Sequence, residues 1–144
     1  YAIPMTLVTG VVDALRELKI KNLVVGTPYL DEINTKEAEF LNNKGFSVLN
    51  IQGLNLTKGI EFGTVTPEYW IKFALEINEA TADAIFLSCG GIRSTEVIDR
   101  IEQKVGKPVI TSNQAQMWSC LRRAGVEDKI LGFGELFNHQ LTTA

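Results

Sequence analysis

Cys89 lies in the segment DAIFLSCGGIRS, where an apolar run stops and two glycines follow. Residues 83–87 read as a buried strand, and Gly90 and Gly91 permit a tight turn. A helix starting directly afterwards would aim free backbone N–H groups at whatever lies beside the sulfur, an environment that favours thiolate and anion alike. The same segment also suits a small cysteine packed as a hydrophobe. Taken alone, the local pattern leaves both readings open.

The residues elsewhere in the chain restrict what such a thiol could do. Acyl transfer by cysteine needs a base and a group that orients it, and the single histidine, His139, lies in a C-terminal tail with polar neighbours. A phosphatase loop would place arginine six positions after the cysteine, whereas Arg93 is four positions on and Thr95 occupies the sixth. No G-x-G-x-x-G or P-loop pattern occurs, so nucleotide binding has no motif behind it. Cys120 is the only other cysteine, is not in C-x-x-C spacing with Cys89 and reads as core, so a disulfide scaffold and a structural metal are not expected. Proton transfer by the thiol remains. A cysteine can protonate or deprotonate a carbon beside a carboxylate if the resulting enediolate is held by N–H and O–H donors. Gly90, Gly91, Tyr29, Thr111 and Ser112 could supply those donors.

The elements that must position these residues follow from hydrophobic periodicity. Thr6 can cap a helix carrying Val8, Val11, Val12, Leu15 and Leu18. A strand over 22–26 follows, then Thr27, Pro28 and Tyr29, then a helix from about Asp31 that stops at Gly45. A second strand is expected over 46–51, then a long loop, then a helix opened by Thr66 and Pro67 with Trp70, Phe73, Ala74 and Ile77 inward. The third strand spans 84–88. The helix after it carries Val97, Ile98, Ile101 and Val105 and ends at Gly106, leading to a fourth strand over 108–111. The last helix runs from Asn113 towards Ala124, with Met117, Leu121 and Ala124 inward. This alternation implies a doubly wound, flavodoxin-like α/β fold with a four-stranded parallel sheet. Ligands of such sheets bind beyond the carboxyl ends of the strands, where Thr27–Tyr29, the 52–66 loop, Ser88–Gly91 and Thr111–Gln114 should converge. That convergence favours the functional reading of Cys89.

With 144 residues and a formal net charge of −3, the chain suits one α/β domain over residues 1–129, followed by a tail over 130–144 too apolar to be free. It has no basic stripe for nucleic acid and no apolar run of the roughly 18 residues a bilayer span needs. The expected partner is a small carboxylate, not nucleic acid or a membrane, and the expected location is cytoplasmic. The chain opens on Tyr1 and reaches a helical pattern almost at once, so it is expected to be part of a longer protein.

The stretches VVDALRELKIKNLVVGTPYLDEIN, ADAIFLSCGGIRS and GKPVITSNQAQMW closely resemble the aspartate/glutamate racemase superfamily, in its branch of arylmalonate decarboxylases and maleate cis-trans isomerases. The resemblance covers nearly the whole chain. It implies two similar α/β domains facing each other across an active site, with no metal or organic cofactor. This chain would be the second of the two, its tail packing on the missing domain, and its protein partner would be that N-terminal domain or a second copy in a homo-oligomer. The resemblance further implies that Cys89 delivers a proton to the enediolate carbon. Gly90 would offer a backbone N–H and Tyr29 a phenolic hydrogen bond to the substrate carboxylate, with Thr27 and Gly91 beside them. Asn113 and Gln114 would cap the last helix and brace the Cys89 loop.

Two departures bear on the substrate. Maleate isomerases tend to carry asparagine in the loop after the second strand, where this chain has Lys58-Gly59 and, nearby, Asn55. Arylmalonate decarboxylases build an apolar pocket from that loop, and Ile60 and Phe62 are the matching residues here. The leading expectation is an isomerase or racemase of a small dicarboxylic acid, with an arylmalonate-type decarboxylase as the alternative. A non-catalytic ligand-binding module, in which Cys89 is merely packed, is the reading from another class.

Overall fold

The computed structural model describes residues 6–142; the first five residues and the last two of the tail lie outside it. Strands β1 (Asn22–Thr27), β2 (Ser47–Gly53), β3 (Ala84–Leu87) and β4 (Val109–Thr111) form one sheet in the order β2-β1-β3-β4, and every neighbouring pair is parallel. The doubly wound, flavodoxin-like four-stranded sheet expected from the alternating pattern is therefore present. The β1–β2 register shifts between Leu23 and Val24.

Strand alternation divides the apolar residues between two layers. Leu23, Val25, Phe86 and Ile110 face helices α1 (Leu7–Glu17), α2 (Asp31–Asn43) and α6 (Ser112–Arg123). Val24, Ile85, Leu87 and Val109 face α4 (Pro67–Ile77) and α5 (Ile98–Val105), whose Trp70, Phe73, Ile77, Ile98 and Ile101 fill that side. The connection from β1 to β2 thus lies on one face, and those from β2 to β3 and β3 to β4 lie on the other. The chain changes face between β1 and β3, which makes their carboxyl ends the topological switch point.

The helix ends follow their local chemistry. Thr6 and Thr66 cap α1 and α4 by accepting from the Thr9 and Tyr69 amides, and Pro67 occupies the first turn of α4. Gly45 and Gly106, with φ of +94° and +68°, follow α2 and α5 in the left-handed conformation that glycine adopts at little steric cost. Within the expected loop, Gly59–Phe62 forms a further short helix, α3.

Two sequence-based assignments are corrected. The inward face of α6 is Ala115, Trp118, Ser119 and Arg122, while Met117 is 57% exposed, Ala124 is exposed and Cys120 is only partly buried. Polar side chains occupy this buried face because each finds a partner. Ser119 donates to Asp13 of α1 (2.9 Å), and Arg122 donates to the carbonyls of Val126, Asp128, Phe137 and His139. The second correction concerns the helix after Cys89. It is delayed by a turn and a 3₁₀ segment at Thr95–Val97, so the helix that begins beside the cysteine is α6.

Arg122 also draws the tail back onto the domain, where Leu136 and Phe137 are buried among α1 and α6 residues. Leu131 and Phe133 remain on the surface. Helices α1 and α6 approach so closely at Gly10 that a Cβ there would lie 2.7 Å from the Gln116 Cα. Because the obstacle is backbone, Gly10→Ala is expected to destabilise the fold by about 1–3 kcal/mol in denaturant unfolding. A loss below about 0.5 kcal/mol, the range of ordinary surface changes, would show that the two helices separate freely.

Candidate active site

The switch point sets Tyr29, which follows β1, beside Cys89, which follows β3. Tyr29 is fixed through Thr27, whose buried hydroxyl donates to Asn34 Oδ1 (2.6 Å) and accepts from the Tyr29 amide (3.1 Å). Its ring packs edge-on to Phe62 of α3, centroids 5.7 Å apart. Burial, then the adjoining Cys89 sulfur, then the charge of Glu37 hold the Tyr29 phenol well above its ordinary pKa. The phenol therefore stays protonated, and a hydrogen-bond donor, throughout the neutral range.

Cys89 has φ of +138°, a backbone conformation that side-chain-bearing residues rarely adopt. Three polar contacts hold the turn. The Cys89 amide donates to Ser112 Oγ (3.1 Å), Asn113 Nδ2 donates to the Gly90 carbonyl (3.0 Å), and the Gly91 amide donates to the Cys89 sulfur (3.2 Å). Ser112 and Asn113 belong to the first turn of α6, which Thr111 and Gln114 close with a reciprocal capping box. The bracing expected of Asn113 and the capping expected of Gln114 are thus both present. The Gly91 donor gives a thiolate formed by proton loss a partner without any rearrangement.

Tyr29, Ser88, Cys89, Gly90 and Ser112 share a cavity of about 340 Å³ whose walls come from α1 and α2. The walls are mostly apolar: Leu7, Val8 and Val11 on one side, Ile33, Phe40 and Leu41 on the other, with Phe86 in the floor. Of the sequence-derived site residues, Cys89, Tyr29 and Gly90 line this cavity. Gly91 adjoins it, packed between the sulfur and Phe62. Thr27 does not line it, since its hydroxyl is engaged in bracing the β1 end. His139 pairs with Glu135 within the tail (2.9 Å). Among the described residues no cluster of three or more histidine, cysteine or acidic side chains could hold a metal, and no helix is long and apolar enough to cross a membrane.

Sequence reasoning missed two charged residues on the wall, Lys36 and Glu37. Glu37 lies four residues from both Ile33 and Leu41, so helical spacing alone puts it on the inward stripe of α2. Burial raises its pKa, and the neighbouring Ser88 hydroxyl opposes that shift in part.

A flavodoxin-like sheet with a braced thiol at its switch point defines the class: one half of the fold of the aspartate/glutamate racemase superfamily. Residues 2–137 match the family described as arylmalonate decarboxylase, and the chain belongs to that family, which it shares with the maleate isomerases. It is 30% identical over 136 residues to the arylmalonate decarboxylase of Bordetella bronchiseptica, covering 92% of this chain and 57% of that protein. To the maleate isomerase of Alcaligenes faecalis it is 26% identical over 130 residues, covering 90% and 51%. A crystal structure of arylmalonate decarboxylase superposes with a TM-score of 0.84 at 30% identity, covering 92% of this chain and 60% of that one. Maleate cis-trans isomerase of Nocardia farcinica bound to TRIS superposes with a TM-score of 0.88 at 23% identity, covering 91% and 54%. The chain thus spans about half the length of the relatives it matches.

The backbone conformation of Cys89 makes a prediction about stability that is separate from activity. Glycine relieves the positive-φ cost but loses more chain entropy on folding, and the first effect is the larger. Cys89→Gly is therefore expected to be more stable than Cys89→Ala by about 1 kcal/mol in thermal or denaturant unfolding. A less stable glycine variant would show that the turn at Cys89 stores no strain.

Proposed function

We propose that Cys89 delivers a proton to the carbon next to a substrate carboxylate, in a cofactor-independent reaction whose intermediate is an enediolate. The observation that carries this reading is that the thiol, the Gly90 backbone and a phenol kept protonated meet at one cavity. The Gly90 amide and Tyr29 hydroxyl would donate to the carboxylate and hold the charge that develops on it. The Cys89 S–H bond then breaks as the new C–H bond forms, leaving a thiolate facing the Gly91 amide.

Among the reactions that pass through such an intermediate, the apolar walls favour decarboxylation of a malonate bearing an aryl or bulky alkyl group. The C–C bond to one carboxylate breaks, CO₂ leaves, and the electron pair remains in the enediolate until Cys89 protonates it. This order reverses the one expected from sequence, because the side chains of α1 and α2 that line the cavity are mostly hydrocarbon. Isomerisation or racemisation of a small dicarboxylic acid is the second reading. It is favoured by Lys36 on the same wall, a cation suited to a second carboxylate. In either case the opposing wall would come from a second domain of the kind that makes up the rest of the relatives' length. Val8, Ile33 and Ile60, 50%, 46% and 83% exposed, are the residues we assign to contact with it.

In the native gene product, Cys89→Ala and Cys89→Ser are expected to lower turnover by about 100-fold or more. Unchanged turnover in both variants would overturn the proton-donor role. A panel of phenylmalonate, maleate and enantiopure aspartate, scored for CO₂ release, cis-trans interconversion and loss of optical activity, separates the reactions. The 144-residue chain alone is expected to self-associate in light scattering, whereas a monomer at high concentration would argue against an uncovered interdomain face.

A further inference from the structure

Among the described residues, Glu37 is the one acidic side chain lining the cavity. It stands on a stripe of α2 that is otherwise Ile33, Phe40 and Leu41, where a carboxylate loses solvation and gains no packing. Ser88, the residue before Cys89, lines the same cavity, and the Glu37 charge acts on Tyr29, which adjoins the sulfur. The other groups facing the cavity are few. Lys36 stands at its exposed edge on α2, Ser112 is at the start of α6, and α1 contributes only Leu7, Val8 and Val11.

A thiol that protonates carbon once per turnover must be reloaded. Decarboxylation of a malonate dianion to a monocarboxylate and CO₂ consumes one proton each time, so a path from solvent to the sulfur is a chemical requirement. We propose that Glu37 is the proton relay of this site, returning a proton to the Cys89 thiolate after each turnover and recovering its own from solvent. The Glu37 O–H bond breaks as the S–H bond re-forms, and the carboxylate then takes a proton from water or buffer at the cavity mouth. Burial supports the role, because a carboxyl with a raised pKa keeps its proton at pH values where an ordinary one has lost it. This inference rests on the reading of Cys89 as proton donor.

The test is Glu37→Gln in the native gene product. The amide keeps the side chain's shape, and it removes a group whose charged form burial disfavours. Stability at pH 8 is therefore expected to be no lower than in the parent. With phenylmalonate as probe, kcat is expected to fall about 10- to 100-fold with KM changed less than about twofold. Added imidazole buffer should restore part of the loss, and Glu37→Asp should retain more turnover than the glutamine variant. A wild-type kcat in Glu37→Gln, or a loss confined to KM, would overturn the relay. A substrate-independent readout is the pH dependence of Cys89 alkylation by iodoacetamide, followed at that residue by mass spectrometry. The parent should show two ionisations and Glu37→Gln one; identical profiles would overturn the proposal. Cys89→Ala run alongside separates the two ideas. If it is inactive while Glu37→Gln is unimpaired, only the relay falls, and if it remains fully active, the proton-donor reading falls first.

Discussion

The backbone turn at Cys89 is the constraint on which the site depends. An L-residue at a φ of +138° stays there only if its surroundings hold it, and here the hold comes from the start of α6. Ser112 takes the Cys89 amide and Asn113 takes the Gly90 carbonyl, so the sulfur is placed by a helix 23 residues away in sequence. That helix start is itself secured by the Thr111–Gln114 capping box. The Gln114 amide group also donates to the Phe133 carbonyl of the tail (2.5 Å). The tail is fastened in turn by the buried Arg122 guanidinium and by Asp99 and Glu102 of α5, whose carboxylates accept the Gly134 and Glu135 amides. Residues remote from the cavity, Gln114, Arg122, Asp99 and Glu102 among them, thus help to fix where its thiol points.

What the sequence could reveal tracks how local the physics is. Strands β1 and β3, the caps at Thr6 and Thr66, and the stops at Gly45 and Gly106 rest on neighbouring residues, and all were legible. The face of α6 was not, because Ser119 and Arg122 look solvent-facing until Asp13 and the tail carbonyls are brought to them by the fold. The same holds for Thr27, a hydroxyl at a strand end that suits a ligand equally well until Asn34 arrives to occupy it. Glu37 was legible in principle. Its spacing from Ile33 and Leu41 marks it as inward, yet a glutamate within a run as polar as DEINTKEAE reads as part of a solvated face.

The cavity combines two features that usually oppose each other: apolar walls and donors for an anion. Hydrocarbon walls penalise an ionised carboxylate, and in the proposed reading the Tyr29 hydroxyl and the Gly90 amide would offset that penalty only over a narrow region near the sulfur. A substrate fits best if its charge is concentrated at one end and its bulk is apolar. A malonate with one large substituent would meet that description once one carboxylate had left, so in the proposed reaction the walls would favour the state after C–C cleavage over the state before it. This is differential stabilisation in the direction a decarboxylase requires.

An isomerase of a four-carbon diacid makes a different demand on the same thiol. Both of its carboxylates persist through the reaction, so a second donor set must face the first, and among the described residues Lys36 is the cation that lines the cavity. In the proposed reading both reactions would pass through an enediolate beside Cys89, so one arrangement of Tyr29, Cys89 and Gly90 would serve either chemistry. The two differ in the fate of the proton. Decarboxylation consumes one per turnover, whereas isomerisation returns what it takes, so only the first gives an acid such as Glu37 a continuing task. A carboxyl retained among hydrocarbon, at a cost in solvation and next to the residue that precedes the thiol, is therefore an argument about the reaction as well as about the site. It favours the proton-consuming member of the pair.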